Sequence, residues 1–532
     1  MSSDSRGTHL SVAIIARDAE LEIAETIRSV HGIADEIVVY DTGSTDGTKT
    51  VTQRLATKAV AGSWNGSFGA ARNNRLQHVT GEWVLWLDAG EQLDQKDAKA
   101  LRKFVDAQVD EQKAYMLLVK VPQAGADISS EQAGRIRLVP NRPELRWEGR
   151  IRETLKPSLA ANGYAVDGIP YVIQRGTREN DPQVKVLRAR RNIRLVDLAV
   201  KEEGPQGYLL NLLGDAFQAL GEFKRAAEFF KHAIAASDAG SIDLLDAYYG
   251  LLTSLERVED GTEQQVPVCL EALESFPLDA QLLCAMGGYL QSQGRLDLAT
   301  RSYETAHKHG QVEPECWHLD RIHEVSAICY SLSLQLQKQF EPAKAVLQEA
   351  LEAAPDSVKL RRQMIDLYIK LGKRTEALEE ARRLPAETRN PEALRSAIRG
   401  ACFASQQNWI SARAYLEAAY NSGCRDVLCL RWLSLTLLST GEFEKAEPIL
   451  EDWQNADPNN VESQQYLAAI KARHESPAAA PQPQPPAGTP RFSTPRTVRV
   501  DDEATKEHGK THGPSRPSIS PSRSRRSSSQ NT

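Results

Sequence analysis

Apolar residues follow two different rhythms along this chain. Between Leu10 and Val121, LSVAIIA (10–16), DEIVVYD (35–41), EWVLWLD (82–88) and AYMLLVKV (114–121) are apolar runs of strand length. Such nearly uninterrupted runs predict strands buried on both faces. They alternate with the helical stretches LEIAETIRSV (21–30), TKTVTQRLATK (48–58), FGAARNNRLQHV (68–79) and 96–108, with Ser67 placed to cap the third. This alternation predicts a mostly parallel, doubly wound α/β sheet whose ligands lie in the loops at the carboxyl ends of the strands. RIRLVP (135–140), ELRWEGRIRETL (144–155) and IPYVIQRG (169–176), separated by Gly, Pro and Asn, predict an antiparallel extension.

From Pro182 to about residue 474 the period becomes helical and repeats. Leu213-Gly214, Phe217, Gly221, Ala226, Phe230 and Ala233 recur at the same offsets as Met286-Gly287, Leu290, Gly294, Ala299, Tyr303 and Ala306. Looser copies run through Gly400, Phe403, Ala412, Leu416, Ala419 and through Leu433, Leu437, Gly441, Ala446, Leu450, Pro458. Ala343, Leu347, Ala350 and Pro355 mark a further copy, and residues 240–280 fit poorly, as a degenerate repeat with an insertion would. The pattern resembles the tetratricopeptide repeat, which implies an all-α solenoid with a concave surface for a protein or peptide partner, or a structural spacer. The domains expected are therefore 8–180, 181–474 and a tail, 475–532.

Composition adds limits. With 532 residues, 41% hydrophobic and 26% charged, the chain has the profile of a globular protein of two or three domains. Its net charge of −6 gives no overall attraction to nucleic acid. The tail holds ten of the 26 prolines and ends SRSRRSSSQNT. It predicts a disordered segment, either simply solvated or touching an anionic partner. The seven cysteines all lie beyond residue 268, are odd in number and form no CxxC, so reduced thiols in a cytoplasmic protein are expected. No apolar run reaches transmembrane length and the N-terminal run is too short for a signal peptide.

The chemistry sits in the α/β part. Asp41 ends an apolar strand and Thr42-Gly43-Ser44 makes a tight turn, while Asp46 suits capping the next helix better than touching a ligand. Arg72 and Asn73 lie on a predicted helix, and Asp88 follows WVLWL, where a carboxylate needs a cation or a helix N-terminus beside it. DEIVVYDTGSTDGT (35–48), FGAARNNRL (68–76) and TGEWVLWLDAGE (80–91), in that order and spacing, resemble the family 2 glycosyltransferases of the GT-A fold. The resemblance is nearest the subgroup whose catalytic domain precedes tetratricopeptide repeats.

The resemblance implies transfer of a sugar, hexosyl-type and inverting, from a nucleotide-sugar donor. Asp41, Thr42, Gly43, Ser44, Arg72, Asn73 and Arg17 would line the nucleotide pocket. Asp88 would be the first carboxylate of the DxD motif, which holds Mg²⁺ or Mn²⁺ on the donor diphosphate. Here the third position is Gly90, and Glu91 alternates to the other side on an extended path. The family's His-Glu pair corresponds to Arg152-Glu153 and its His-Tyr-Gly to Gln174-Arg175-Gly176, with no histidine between His78 and His232. Glu153 is then the expected base for the acceptor hydroxyl, ahead of Glu91 and Glu148. Arg150, Arg152 and Arg175 are candidates to grip the diphosphate without a metal, or are ordinary surface arginines. The competing reading is an inactive domain serving as scaffold or nucleotide sensor, with the repeats as the working part.

Overall fold

In the computed structural model, residues 8–121, 130–384, 391–457 and 460–475 are described. The tail from 476, and Pro458 of the last repeat, lie outside the described residues.

Period-two burial builds the first domain. Leu10–Ala16 (β1), Glu36–Asp41 (β2), Lys58–Ala61 (β3) and Trp83–Asp88 (β4) are followed by Glu91–Leu93 (β5), Lys113–Val121 (β6), Glu131–Pro140 (β7) and Ala165–Arg175 (β8). The helices between them are Ile23–Val30 (α1), Thr48–Leu55 (α2), Phe68–Leu76 (α3), Gln95–Ala107 (α4) and Lys156–Ala161 (α5). Leu10, Val12 and Ile14 of β1 pack with Leu85 and Leu87 of β4 in one core, beneath Ile23 and Ile27 of α1 and Leu101 of α4. The alternate residues Ala13, Val38, Val84 and Trp86 pack on the other face with Trp147, Leu155 and Leu159. Asp88 shares the parity of Val84 and Trp86, so the pleat turns it to the Trp147 side.

The strand order is β3-β2-β1-β4-β7-β6-β8-β5. β1 runs parallel to β2 and β4, β2 parallel to β3, and β7 antiparallel to both β4 and β6. Three expectations change. β8, expected within an antiparallel extension, runs parallel to β6 and antiparallel only to β5. The helix from Thr48 stops at Leu55 because residues 58–61 form β3, an edge strand too exposed to carry an apolar signature. Residues 144–155 form no strand, only an isolated bridge between Glu148 and Thr154. Gly149 (φ +92°) and Arg152 (φ +53°) break the pleat there. Leu145 and Trp147 still bury on one core, and Ile151 on another.

Pro182–Glu203 (α6) starts sharply, with the Asp181 side chain accepting from the Gln183 amide at 2.8 Å and proline in the first turn. Among the described residues seven helical hairpins then follow. They are Gly207–Ala219 with Phe223–Ala236 (α7, α8), Ile242–Leu255 with Thr262–Ser275 (α9, α10), Ala280–Ser292 with Leu296–His309 (α11, α12) and Ile322–Leu336 with Phe340–Ala353 (α13, α14). Val358–Lys370 with Arg374–Arg382 (α15, α16), Pro391–Ser405 with Trp409–Asn421 (α17, α18) and Val427–Ser439 with Phe443–Ala456 (α19, α20) complete the series, closed by Val461–Glu475 (α21).

The repeat glycines are contact points. A β-carbon at Gly214, Gly287 or Gly400 would stand 2.5, 2.4 or 2.6 Å from Phe230, Tyr303 or Leu416 of the second helix. Residues 240–280, expected to be irregular, are the ordinary pair α9–α10. The insertion falls later, at 310–321. There His318–Leu319 (β9) leaves the solenoid and pairs antiparallel with Glu131 and Gln132 of β7.

Candidate functional site

The carboxyl ends of β1, β2 and β4 meet in one place, because Ala16 pairs with Asp41 and Ile15 with Asp88. Asp41 Oδ1 accepts from the amides of Gly43 (2.8 Å) and Ser44 (2.7 Å), a turn that puts Gly43 at φ +103°. Asp41 Oδ2 is buried with no hydrogen-bond partner among the described residues. Thr42 donates its amide to Ala16 O at 3.0 Å. The loop after β1 is laced to the loop after β2: Ser44 Oγ accepts from the Asp18 amide (2.9 Å), and Asp18 Oδ1 accepts from the Thr45 amide (2.7 Å). Asp46 accepts from the Thr48 amide at 3.0 Å, at the start of α2. Arg17 is half exposed and lies 3.8 Å from Asp18.

Asp88 is surrounded by guanidinium groups. Arg72 of α3, only 5% exposed, donates through Nη2 to Asp88 Oδ1 (2.9 Å) and through Nε to Glu153 Oε1 (2.6 Å). Its guanidinium lies 4.7 Å from the Trp147 ring and 5.3 Å from that of Trp86. Arg137 of β7 donates through Nη2 to Asp88 Oδ2 (3.2 Å) and to Glu91 Oε1 (2.7 Å). Glu91 Oε2 accepts the Asp88 amide at 2.9 Å, so a tight turn does bring Glu91 round to Asp88. Arg175 reaches Glu91 Oε1 with Nε at 3.4 Å. Burial opposes the charge on Asp88, but Arg72, Arg137 and Arg175 outweigh it and hold its carboxyl far below the ordinary range. Burial pushes Glu91 the other way, upward, and the charge on Asp88 adds to this.

Gly90 is a structural requirement of that turn. It adopts φ +97°, donates its amide to Thr26 Oγ1 (2.9 Å), and its carbonyl accepts from Gly176 (2.9 Å). A β-carbon there would lie 3.6 Å from the Glu22 carboxylate, so an aspartate at 90 would meet both backbone strain and like charge. The side chains present do not fit a divalent cation at Asp88. Both of its oxygens already bond guanidinium groups, and an ion would sit against two buried positive charges.

The other expected residues separate. Asn73 exchanges two bonds with the Trp147 backbone, both at 2.8 Å, and so fixes the 147 loop. Arg150 pairs with Glu202 of α6 and lines an open cavity of about 420 Å³ with Asn65, Asn73 and Glu203. Arg152 turns to the solenoid, 2.6 Å from Asp246 and 3.5 Å from Asp243 of α9. Glu148 contributes its backbone to the bridge with Thr154. Of the three arginines expected at a diphosphate, Arg175 alone comes near Asp88. Arg137 is the member of the site that the sequence reading passed over. Its signal was present: it shares the parity of buried Val139, and a buried strand arginine needs an acid.

Residues 11–129 match the family model described as glycosyl transferase family 2, and tetratricopeptide models match 208–239 and 334–399. A TPR repeat-containing protein of Synechococcus elongatus is 28% identical over 245 residues, 42% of this chain and 56% of that one. An uncharacterized glycosyltransferase of Rickettsia typhi is 37% identical over 87 residues, 16% of this chain and 30% of that one. The chain thus spans about half the length of the first relative and less than a third of the second. Among solved structures, a tetratricopeptide repeat protein from Parabacteroides merdae aligns at 16% identity and a TM-score of 0.39, covering 50% of this chain and all of that one. The chain carries a family 2 glycosyltransferase domain followed by tetratricopeptide repeats.

Proposed function

We propose that residues 8–180 bind a nucleotide-sugar and transfer its sugar, with inversion, to an acceptor, and that the repeats across 181–474 recruit a protein partner. No helix among the described residues is long and apolar enough to cross a membrane. The proposed setting is the cytoplasm. Asp41, held by the amides of Gly43 and Ser44 through one oxygen and with its other buried oxygen unpartnered among the described residues, suits the nucleoside.

The observation that carries the proposal is the pair of guanidinium groups on Asp88. Fixed cations at the mouth of β1 and β4 supply, without reorganisation, the positive charge that a departing diphosphate needs. Arg137 and the partly exposed Arg175 serve that role here, and Arg72 holds Asp88 and Glu153 in register. Glu153 is the proposed acceptor base. A carboxylate has about four acceptor positions, so its bond from Arg72 orients it without saturating it.

The test is binding and turnover of UDP-, GDP- and dTDP-sugars with and without EDTA, in the wild type and in Asp88→Ala. Binding unchanged by EDTA and turnover lost in Asp88→Ala are the expected results. A strict requirement for Mn²⁺ would overturn the metal-free site, and absence of nucleotide binding would overturn the transferase. A second reading, a nucleotide sensor without turnover, draws on the mutual neutralisation of three acids (Asp88, Glu91, Glu153) by Arg72, Arg137 and Arg175. Binding without hydrolysis or transfer would favour it.

A further inference from the structure

The segment that leaves the solenoid between α12 and α13 is fastened to the transferase sheet at several points. Besides the β9–β7 pairing, the Gly134 amide donates to Pro314 O (2.6 Å), and Arg135 donates through Nη1 to Glu315 O (2.6 Å). The Asp320 amide donates to Ser130 O at 2.9 Å, while Lys120 pairs with Asp320 (2.5 Å) and Lys156 with Glu315 (2.6 Å). At residues 131–132 one edge of β7 is taken by β6, so β9 occupies the edge that β4 uses further along.

These fastenings deliver one side chain. Trp317 packs on the transferase core, and its ring lies 5.2 Å from the Arg135 guanidinium and 5.5 Å from that of Arg175. Arg175 is opposite Glu91 in the β5–β8 register, and Glu91 in turn holds Arg137 against Asp88. Arg135, Arg137, Arg152 and Arg175 are crowded here. Burial and the charges of Arg152 and Arg175 push the Arg135 guanidinium down to about 10. An aromatic face is a surface against which crowded guanidinium groups can rest without an acid for each.

We propose that Trp317 of the solenoid is a positioning residue of the donor site: it holds Arg175 beside Glu91 and Asp88, where the guanidinium meets the donor diphosphate. This rests on the nucleotide-sugar reading above. The repeats are then part of the transferase site as well as a docking platform. Trp317 acts through Arg175 and touches no substrate.

The experiment uses the full chain as wild type, Trp317→Leu and Trp317→Phe. Titrations with UDP, GDP and dTDP are compared with titrations of the parent nucleosides, followed by ligand-observed NMR. Loss of the aromatic face in Trp317→Leu is expected to weaken diphosphate binding roughly three- to tenfold and to leave nucleoside binding unchanged, with Trp317→Phe recovering most of the loss. A merely structural role would weaken both ligands together, and that result, or no loss at all, overturns the proposal. Wild-type protein that binds no nucleoside diphosphate overturns the nucleotide-sugar reading first and this inference with it. Should Trp317→Leu fail to give a cooperative urea transition, Trp317→Met, which fills the space without an aromatic face, carries the same comparison against Trp317→Phe.

Discussion

Asp88 and Asp279 are both carboxylates at the ends of regular elements, and the two halves of the molecule treat them in opposite ways. In the α/β sheet, Asp88 stands between Arg72 and Arg137 and its ionised form is strongly favoured. In the solenoid, Asp279 caps α11, accepting from the Leu282 amide (2.8 Å) and the Tyr249 hydroxyl (2.7 Å). Burial outweighs these bonds and pushes its carboxyl up to about 6. The sheet buries charge as pairs whose members depend on one another. The solenoid packs small residues against aromatic rings within a hairpin, as Gly287 on Tyr303, or between neighbouring hairpins, as Gly250 on Phe230. A change in the first region spreads through a network; in the second it stays local.

The largest test of that contrast is Arg72→Met. It leaves Glu153 buried and Asp88 half-buried, each short of a cation, at a cost of about 3 kcal/mol, the low end for a broken buried pair because Asp88 retains some solvent. Urea unfolding followed by hydrogen exchange over β4 should show the loss at β4 and β7 together; a loss below about 1 kcal/mol would mean the pairs act independently.

Next comes pH. The folded value of Asp279 lies above its unfolded value near 3.8, so its contribution to stability is present below that value and is lost as pH rises through about 6. Its charging should cost α11 about 2–3 kcal/mol between pH 4 and 6.5, and Asp279→Asn should flatten that slope. Asp88 carries the opposite sign, because its folded value is depressed. Its contribution persists above the ordinary carboxylate range and is lost only as pH falls below it. Exchange rates over α11 and β4 should therefore move in opposite directions on acidification. Parallel movement would erase the distinction between the two regions.

Gly287→Ala should have the smallest effect. The new methyl group meets the buried ring of Tyr303, and overpacking of about 1–3 kcal/mol is partly offset by better helix propensity. Faster exchange is expected in α11 and α12 alone, with nucleotide binding unchanged. A change in binding would show that a packing change in this hairpin reaches the site, against the local behaviour expected of the solenoid.

The same contrast governs what the sequence discloses. β1, β4 and β6 are legible because burial writes long apolar runs, and the repeats because small residues recur at fixed offsets. β3 has three exposed residues of four, and β5 and β9 are only three and two residues long. Their pairing is imposed by partners elsewhere, so no local pattern marks them. In the site, the apolar runs point to Asp41 and Asp88. Assigning the arginines required spatial information. Arg150 and Arg152 sit beside Glu153 in sequence, yet the positive φ of Gly149 and Arg152 turns them toward α6 and α9. Arg137 arrives from a strand that carries no motif.

The pairing of Gln132 with His318 joins positions 186 apart in the chain. Closing so long a span is slow, and its entropic penalty falls before the contact forms. During synthesis, β7 leaves the ribosome with part of one edge bare. It stays bare until the first three helical hairpins and the segment after them have followed. The α/β sheet is therefore finished late, by a piece of the solenoid, and a nascent chain stopped short of residue 318 carries an open strand edge beside its arginines.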